Sequence, residues 1–228
     1  MLRLFALAAF AVAGPGLVPG HAQTEAPAPE ATLYTASYIE VGPVLSKVGA
    51  GALRVYREAA RKDALSLDVF ERSDRPNQFV VLGAWANPQA FEDHSAGEAA
   101  KKLNEKLSTM LASPNDIRRH TGLAVAAAKP RKDAIVAVTH VDVPPADKDN
   151  AANALEQLAD DSRRHAGNLQ FDVWRQTDRP NHFTMVESWA SRGAFDVHGM
   201  QKETREFRMR LGPMLGALYD ERVYKLLK

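Results

Sequence analysis

The chain has 228 residues, of which 45% are hydrophobic and 25% charged, with a formal net charge of +1 and no cysteine. This composition is typical of a globular protein and excludes a disordered chain or a disulfide-stapled mini-protein. The lack of cysteine excludes thiol nucleophiles, cysteine-ligated zinc and iron–sulfur clusters. A net charge near zero gives no electrostatic reason to expect a nucleic-acid partner.

The N-terminal residues have the features of an export signal. Arg3 supplies a short positive region, an apolar stretch follows over 4–18, and the tripeptide Gly-His-Ala at 20–22 places small residues where signal peptidase reads them. A membrane anchor is the alternative, but the apolar run is short and contains glycine and proline. We expect cleavage after Ala22, no membrane span afterwards, and a periplasmic or secreted protein.

The remainder of the chain contains two copies of one sequence unit. When the sequence is shifted by 104 positions, residues 74–79 (DRPNQF) match residues 178–183 (DRPNHF) without a gap. Rare residues recur at the same spacing, namely Trp85 with Trp189 and His94 with His198. We therefore predict two homologous units and a short linker. The predicted organisation is a signal peptide (1–22), a flexible leader (23–32), a first unit (33–124), a linker (125–132) and a second unit (133–228).

Each unit predicts the order β-α-β-β-α-β. The β-rich runs 33–41 and 134–143 are each followed by proline, which suits the first turn of a helix because that turn does not use its N–H. The DRPN segments predict turns, and Asn87 and Ser191 predict the N-caps of the second helix. This is the ferredoxin-like split βαβ arrangement, so the predicted fold class is α+β.

Strand parity predicts two different faces for each hairpin. If residue 72 pairs with 79 and residue 70 with 81, one face is aliphatic and the other carries aromatic and ionisable side chains. The second face is too apolar for water and too polar for a dry core. We therefore expect the units to pack sheet to sheet as an intramolecular barrel that encloses a small-molecule pocket. The predicted pocket residues include Phe70, Trp85, Asp172, Trp174, Phe183, Glu187 and Trp189.

Two motifs of the second unit point to a family. The pattern RPNxFxxxExW at 179–189, followed by AFxxH at 194–198, resembles the antibiotic biosynthesis monooxygenase (ABM) superfamily of dimeric α+β barrels. Members of that superfamily usually carry one unit, so this chain resembles a fused pair, a monomer that acts as its own pseudo-dimer. The resemblance implies that dioxygen oxidises a small aromatic, a quinol or phenol, without a metal or flavin cofactor.

The chain also departs from the family pattern. The first unit has Gly83 where the pattern has glutamate, so this half resembles a degenerate copy. The haem-degrading branch needs a tryptophan at the AFxxH histidine and a histidine ten residues on. The chain instead has His94 and Asn104, or His198 and Arg208, which disfavours haem degradation. The histidine spacings do not match a metal-binding motif.

The candidate catalytic residues are two carboxylates and a histidine. In the assumed register Glu187 and Asp172 face each other, so one of their pKa values should rise and give a general base for a phenol. The alternative is that the register differs, or that a neighbouring arginine neutralises them. His198 is a second candidate base, and the alternative is a helix histidine that ties down a loop.

The candidate substrate contacts are mostly aromatic. Trp85, Trp174 and Trp189 could stack on a flat substrate or fill the core. His94 could donate to a ligand oxygen, and Asn181 could contact the substrate or serve the turn. Tyr34, Tyr38 and His140 have the parity to reach the pocket, although parity alone leaves open which face they share. Phe70 and Phe183 complete the predicted lining.

Two functions are compatible with these residues. The first is an exported, cofactor-independent monooxygenase in which Glu187 or His198 draws the phenolic proton. The second is a non-catalytic small-molecule-binding or stress-related protein that uses the same pocket, which the missing glutamate of the first unit favours.

Overall fold

The computed structural model describes residues 31–127 and 133–228. The predicted signal peptide, most of the predicted leader and residues 128–132 of the predicted linker lie outside this part of the chain. Within it, no helix is long and apolar enough to cross a membrane.

Both units have the predicted order of elements. The strands are β1 (Leu33–Glu40), β2 (Ser66–Arg72), β3 (Gln78–Trp85), β4 (Asp116–Ala124), β5 (Ile135–Asp142), β6 (Asn168–Gln176), β7 (His182–Trp189) and β8 (Asp220–Leu226). The helices are α1 (Ser46–Ala60), α2 (Pro88–Ala96), α3 (Glu98–Leu107), α4 (Lys148–Ser162), α5 (Arg192–Met200) and α6 (Lys202–Leu211). The α+β class and the tandem ferredoxin-like arrangement are confirmed.

The second helix of each unit is broken into two, which the sequence did not predict. Gly97 separates α2 from α3 and Gln201 separates α5 from α6, and both residues have extended backbone angles. The caps at the start are as predicted, because the Asn87 side chain accepts from the Ala90 N–H at 2.9 Å and Ser191 accepts from the Ala194 N–H at 3.1 Å.

The eight strands form one closed antiparallel barrel in the order β1-β3-β2-β8-β5-β7-β6-β4. Strand β8 of the second unit pairs with β2 of the first, and β4 of the first pairs with β6 of the second. The units are therefore joined through their sheet edges, and the barrel closes within a single chain. Closure leaves none of these eight strands with a free edge for another chain to pair with.

The hairpin register differs from the predicted one by a single residue. Glu71, rather than residue 72, pairs with Phe79. A tight turn is closed by the Gln78 N–H and the Arg75 carbonyl at 2.9 Å, and residues 73–77 form the connection between the two strands. Side chains alternate between the two faces of a strand. This one-residue difference therefore places the side chains of one strand in each hairpin on the face opposite to the predicted one.

The structure therefore has three hydrophobic cores, one under the helices of each unit and one inside the barrel. Phe79, Val81 and Trp85 pack under the helices of the first unit, and Phe183 and Trp189 pack under those of the second. A third cluster fills the barrel itself and includes Val80, Leu82, Val138, Trp174 and Tyr224. The prediction that Trp85, Phe183 and Trp189 line the space between the sheets is therefore wrong.

Candidate functional site

One end of the barrel holds a cavity of about 880 Å³ that is lined by both units. We call it the barrel cavity. Its volume is in the range of pockets that enclose small organic ligands. The chemically distinctive lining residues are Tyr34, Asp68 and Phe70 of the first unit and Gln170, Asp172 and Trp174 of the second. Of the predicted site residues, the barrel therefore brings together Phe70, Asp172 and Trp174.

An aromatic pair crosses from one unit to the other in this cavity. The rings of Tyr34 and Trp174 stack with centroids 5.1 Å apart and an interplanar angle of 27°. The Trp174 Nε1–H is buried and has no hydrogen-bond partner among the described residues. An unpaired buried donor costs free energy, which a ligand oxygen or a water would recover. The wall therefore offers both a flat apolar surface and an available donor.

Asp172 is the most deeply placed acid of the barrel cavity, with 2% of its surface exposed. Its carboxylate accepts from the Gln170 side-chain amide at 2.7 Å and from the Ala126 backbone N–H at 3.1 Å. Burial raises the pKa of Asp172, and these hydrogen bonds and the charge of Arg163 oppose that rise. A carboxylate with a raised pKa is a stronger base than one in water.

The equivalent acid of the first unit has a different environment. Asp68 accepts from Arg61 at 2.8 Å, and both side chains are more than two-fifths exposed. Its charge is therefore compensated by a cation at the mouth of the cavity, whereas Asp172 is held by neutral donors. The two halves of the cavity are related in sequence but differ in chemistry.

The barrel interior beyond Trp174 contains a hydrogen-bonded group formed by His120, Thr184 and His140, which we call the barrel floor. The Thr184 hydroxyl lies 2.9 Å from His120 Nε2 and 3.0 Å from His140 Nδ1. His120 Nδ1 faces the Tyr34 carbonyl at 3.4 Å, so that nitrogen carries the proton. Thr184 then donates to His120 and accepts from His140. Burial lowers the pKa of His120 to about 4 and that of His140 to about 3, so both rings are neutral at neutral pH.

The other two candidate catalytic residues lie on the opposite side of the sheet. Glu187 pairs with Phe171 and Asp172 with Val186, so the expected contact between the two carboxylates is wrong. The cause is again the one-residue difference in register, which places neighbouring residues on opposite faces. Glu187 lies among helix-facing residues, while Val186 and Ser188 on either side of it line the barrel cavity.

Glu187 and His198 do come together, beside Trp189. The Trp189 indole N–H donates to Glu187 Oε2 at 3.0 Å, and the His198 ring stacks on Trp189 with centroids 4.5 Å apart. His198 Nε2 lies 3.6 Å from the same carboxylate oxygen. Burial raises the pKa of Glu187 to about 8 and lowers that of His198 to about 4. At neutral pH the pair is therefore a neutral acid beside a neutral imidazole.

In the first unit the position of Glu187 is occupied by Gly83. The Trp85 indole N–H donates to Thr35 Oγ1 at 3.0 Å, and a Cβ at Gly83 would lie only 2.8 Å from that oxygen. His94 is bonded on both sides, to Tyr56 at 2.8 Å and to Asp63 at 3.1 Å. Trp85 and His94 are thus structural members of this core.

Asn181 acts on the backbone. Its side-chain amide donates to the Val143 carbonyl at 2.6 Å, and Asn77 does the same to Val41 at 2.9 Å. Both amides tie the hairpin turn to the end of the first strand of their unit. Among residues 31–127 and 133–228 there is no group of three or more acidic or histidine side chains that could hold a metal ion.

Sequence reasoning missed several residues of the barrel. Gln170 orients Asp172, and Thr184 links the two buried histidines, yet neither belongs to a motif. Tyr34 had the right parity, and its pairing with His120 now fixes it on the barrel side. No sequence signal singles out Thr184, because polar residues also occupy other positions of its strand on the same face, such as Ser188.

Comparisons with known proteins agree on the fold. Residues 134–210 match the family described as antibiotic biosynthesis monooxygenase. The chain resembles a provisionally assigned monooxygenase from Lactobacillus acidophilus NCFM, with 14% identity over 87% of this chain and 95% of that chain and a TM-score of 0.72. A second provisionally assigned monooxygenase, from Fusobacterium nucleatum subsp. nucleatum, is 13% identical over 87% of this chain and 94% of that chain, with a TM-score of 0.76.

A third solved structure of the same architecture is an anthrone oxidase-like protein, with 14% identity over 86% of this chain and 92% of that chain and a TM-score of 0.68. A search of curated protein sequences gives no match. The resemblance of the chain to the ABM superfamily is confirmed. At these identities the structural likeness concerns the fold, and the chemistry has to be argued from the site.

Proposed function

Because its residues 134–210 match the ABM family, we propose that this chain is a monooxygenase that oxidises a small phenol or quinol in the barrel cavity. The observation that carries the proposal is the placement of a buried carboxylate, Asp172, in a cavity whose wall is the stacked pair Tyr34 and Trp174. A flat aromatic can stack on that wall while its hydroxyl reaches the carboxylate.

In this proposal some cavity residues bind the substrate and one removes its proton. Trp174 and Phe70 supply apolar surface. The Trp174 Nε1–H, which is unpaired among residues 31–127 and 133–228, can donate to a ligand oxygen. Asp172, oriented by Gln170, takes the phenolic proton. The resulting anion is a stronger electron donor than the phenol, and it passes an electron to dioxygen.

The proposed reaction balances without an outside reductant. In the keto tautomer the reacting ring carbon carries two hydrogens, and the CH₂ group and O₂ become C=O and water. Both C–H bonds break, one oxygen atom enters the product, and the other leaves as water. The substrate therefore supplies every electron.

Oxygen uptake with a panel of quinols and phenols tests the proposal. We expect Asp172→Asn to lower uptake by about 10²-fold or more, the usual worth of a general base. The matched control is Asp68→Asn, since Asp68 holds the same position in the first unit but is compensated by Arg61. Uptake at the level of the blank with every substrate would refute the activity, and equal rates for wild type and Asp172→Asn would refute the base.

A non-catalytic binding protein is the second candidate. It is favoured by the hydrogen bonds that already satisfy Asp172 and by the closed core around Gly83. Calorimetry with the same panel separates the two functions. Saturable binding that is lost when Ala84→Trp fills the cavity, without oxygen uptake by the unmodified chain, would establish the binding protein and exclude the enzyme.

We also propose that the chain is exported to the periplasm or beyond. The support is the short positive region, apolar stretch and small-residue site of residues 1–22. Intact mass of the protein recovered from a periplasmic fraction is the test. A mass that includes residues 1–22 would contradict cleavage after Ala22.

A further inference from the structure

The second unit contains a row of four ionisable side chains that runs from its core to its surface. Glu187 is 2% exposed and His198 is 4% exposed. The His165 side chain is 13% exposed and that of Glu203 is 42% exposed. The row therefore starts at a fully buried carboxyl group and ends at one in contact with water.

Successive members of this row are close together. Glu187 Oε2 lies 3.6 Å from His198 Nε2, His198 Nδ1 lies 3.0 Å from His165 Nδ1, and His165 Nε2 lies 3.7 Å from Glu203 Oε2. The middle distance is that of a hydrogen bond. The outer two distances are longer than the middle one by about 0.6–0.7 Å, a difference that small side-chain movements can remove.

The protons of the row can all be oriented in one direction. His198 is neutral, so one ring nitrogen carries a proton and the other a lone pair. If Nδ1 carries it, His198 donates to His165 Nδ1, and His165 Nε2–H points at the Glu203 carboxylate. The lone pair of His198 Nε2 then faces the protonated Glu187. A proton can thus be passed outward from each group to the next.

We propose that Glu187, His198, His165 and Glu203 form a proton path that connects the core of the second unit with solvent. A proton leaves the Glu187 hydroxyl for His198 Nε2 while the Nδ1 proton moves to His165 and the Nε2 proton of His165 moves to Glu203. No bond between heavy atoms changes. The proposal is independent of the oxidation proposed above, because none of the four residues lines the barrel cavity.

The surroundings of Glu187 determine what its loss of a proton does to the local charge. On strand β7 the Trp189 indole N–H donates to the Glu187 carboxyl group. The charges that act on Glu187 are those of Glu221 on β8 and Arg208 on α6. Arg208 donates to Glu221 at 3.3 Å, so that cation is already engaged. Half-buried Tyr219 and buried Thr204 complete the surroundings, with Thr204 Oγ1 3.3 Å from His198 Nδ1. Release of the proton therefore leaves an uncompensated charge directly behind the cavity wall.

The first unit provides an internal comparison. Before the hairpins the units match at a spacing of 102 residues, as α1 (Ser46–Ala60) and α4 (Lys148–Ser162) show, so Asp63 occupies the position of His165. Asp63 contacts His94, but His94 Nε2 is bonded to Tyr56 and Gly83 replaces the buried acid. The second unit has Leu158 at the position of Tyr56, which leaves His198 Nε2 facing Glu187. The row is thus present in one half only.

Infrared spectroscopy after a rapid pH jump tests the path. The carboxylic C=O band that disappears in Glu187→Gln reports the protonation of Glu187 directly. We expect His165→Asn to slow loss of that band by about tenfold or more after a jump from pH 6 to 9, since an interrupted path raises the barrier by ~1.4 kcal/mol or more. Glu203→Gln, a surface change, should slow it less.

The control is Asp63→Asn, which alters the same place in the first unit and should leave the rate unchanged. Circular dichroism checks that each variant is folded, and Glu203→Gln decides the matter if His165→Asn is not. The proposal is overturned if the band decays at the wild-type rate in folded His165→Asn. If His165→Asn does not fold, the proposal is overturned by a wild-type rate in Glu203→Gln. It is also overturned if Asp63→Asn slows the decay equally, since the effect would then not be specific to this row.

Discussion

Glu187 lies directly across from Ala137 on the paired strands β7 and β5, while in the first unit Gly83 lies across from Thr35. In each unit one member of the pair is small and the other accepts the indole N–H of the nearby tryptophan at 3.0 Å. The acceptor has therefore exchanged strands between the two halves. The acid on β7 faces an alanine, and the threonine on β1 faces a glycine, where a Cβ would lie 2.8 Å from the threonine hydroxyl.

This relationship predicts that Gly83 is intolerant of a side chain. Gly83→Ala should lower the free energy of unfolding by about 1–3 kcal/mol, because the new methyl group lies 2.8 Å from Thr35 Oγ1 and 2.9 Å from Trp85 Nε1. Chemical denaturation measures the change. Gly51→Ala is the control: nothing lies within 4 Å of a Cβ there, and alanine favours a helix, so stability should be unchanged or higher by up to ~1 kcal/mol. Equal effects at both positions would contradict the close packing.

Stability should depend on the charge of Glu187. Its pKa is raised from 4.5 to about 8 in the folded protein, so the native state holds a proton that the unfolded chain releases. The stabilisation is complete below pH 4.5 and is lost as pH rises from 4.5 to 8, by up to ~1.4 kcal/mol per pH unit. Glu187→Gln, which keeps an acceptor for Trp189, should lose this slope.

Urea titrations of the wild type and of Glu187→Gln across that range measure the difference. The control is Glu98→Gln, at an exposed position where removal of a charge should have little influence on folding. Parallel stability curves for the wild type and Glu187→Gln between pH 5 and 8 would show that Glu187 is ionised in the folded protein.

The barrel floor predicts an opposite dependence. His120 and His140 have pKa values lowered to about 4 and about 3, so the unfolded chain binds protons that the native state does not. Their contribution to stability is present above pH 6.5 and is lost as pH falls towards 3. Thr184→Val removes the hydroxyl that binds both rings and should cost about 1–3 kcal/mol at pH 7.

Thr139→Val is the matched control for that substitution. Thr139 is equally buried on the neighbouring strand, but its hydroxyl has no hydrogen-bond partner among the described residues. Removing an unpaired hydroxyl should leave stability unchanged or raise it. A larger loss for Thr139→Val than for Thr184→Val would contradict the hydrogen bonds assigned to Thr184.

The closed barrel predicts a monomer. The strand pairs β2–β8 and β4–β6 use the edges through which two separate units would associate. Light scattering coupled to size exclusion should therefore give the mass of one chain, 25.0 kDa or less if the signal is cleaved. A stable dimer that dissociates when β2 or β4 is altered would contradict closure within the chain.

The fold was accessible from the sequence because its signals are local or repeated. The DRPN turns, the caps at Asn87 and Ser191 and the 104-residue spacing are each visible without three-dimensional information. The break at Gly97 was not, because glycine inside a helical pattern is also compatible with a continuous helix. The corresponding break at Gln201 has no sequence signal at all.

The candidate site was less accessible, for a geometric reason. Assignment of side chains to faces depends on the hairpin register, and a shift of one residue moved Glu187, Phe183 and Trp189 away from the cavity while Asp172 and Trp174 stayed. The turn sequence alone did not specify which residues pair across it. The proximity of Glu187 and His198 depends on how α5 packs on β7, which no spacing in the sequence encodes.

The covalent link between the two halves has a consequence for how such a barrel can change. In a homodimer of one-unit chains each substitution is present twice, and it must be tolerated at both symmetric positions. In this chain Glu187, His165 and Leu158 each occur once, with Gly83, Asp63 and Tyr56 at the matching positions. One half can therefore carry an acid that the other half could not accommodate, so the fusion permits an asymmetric barrel that a symmetric pair of chains could not form.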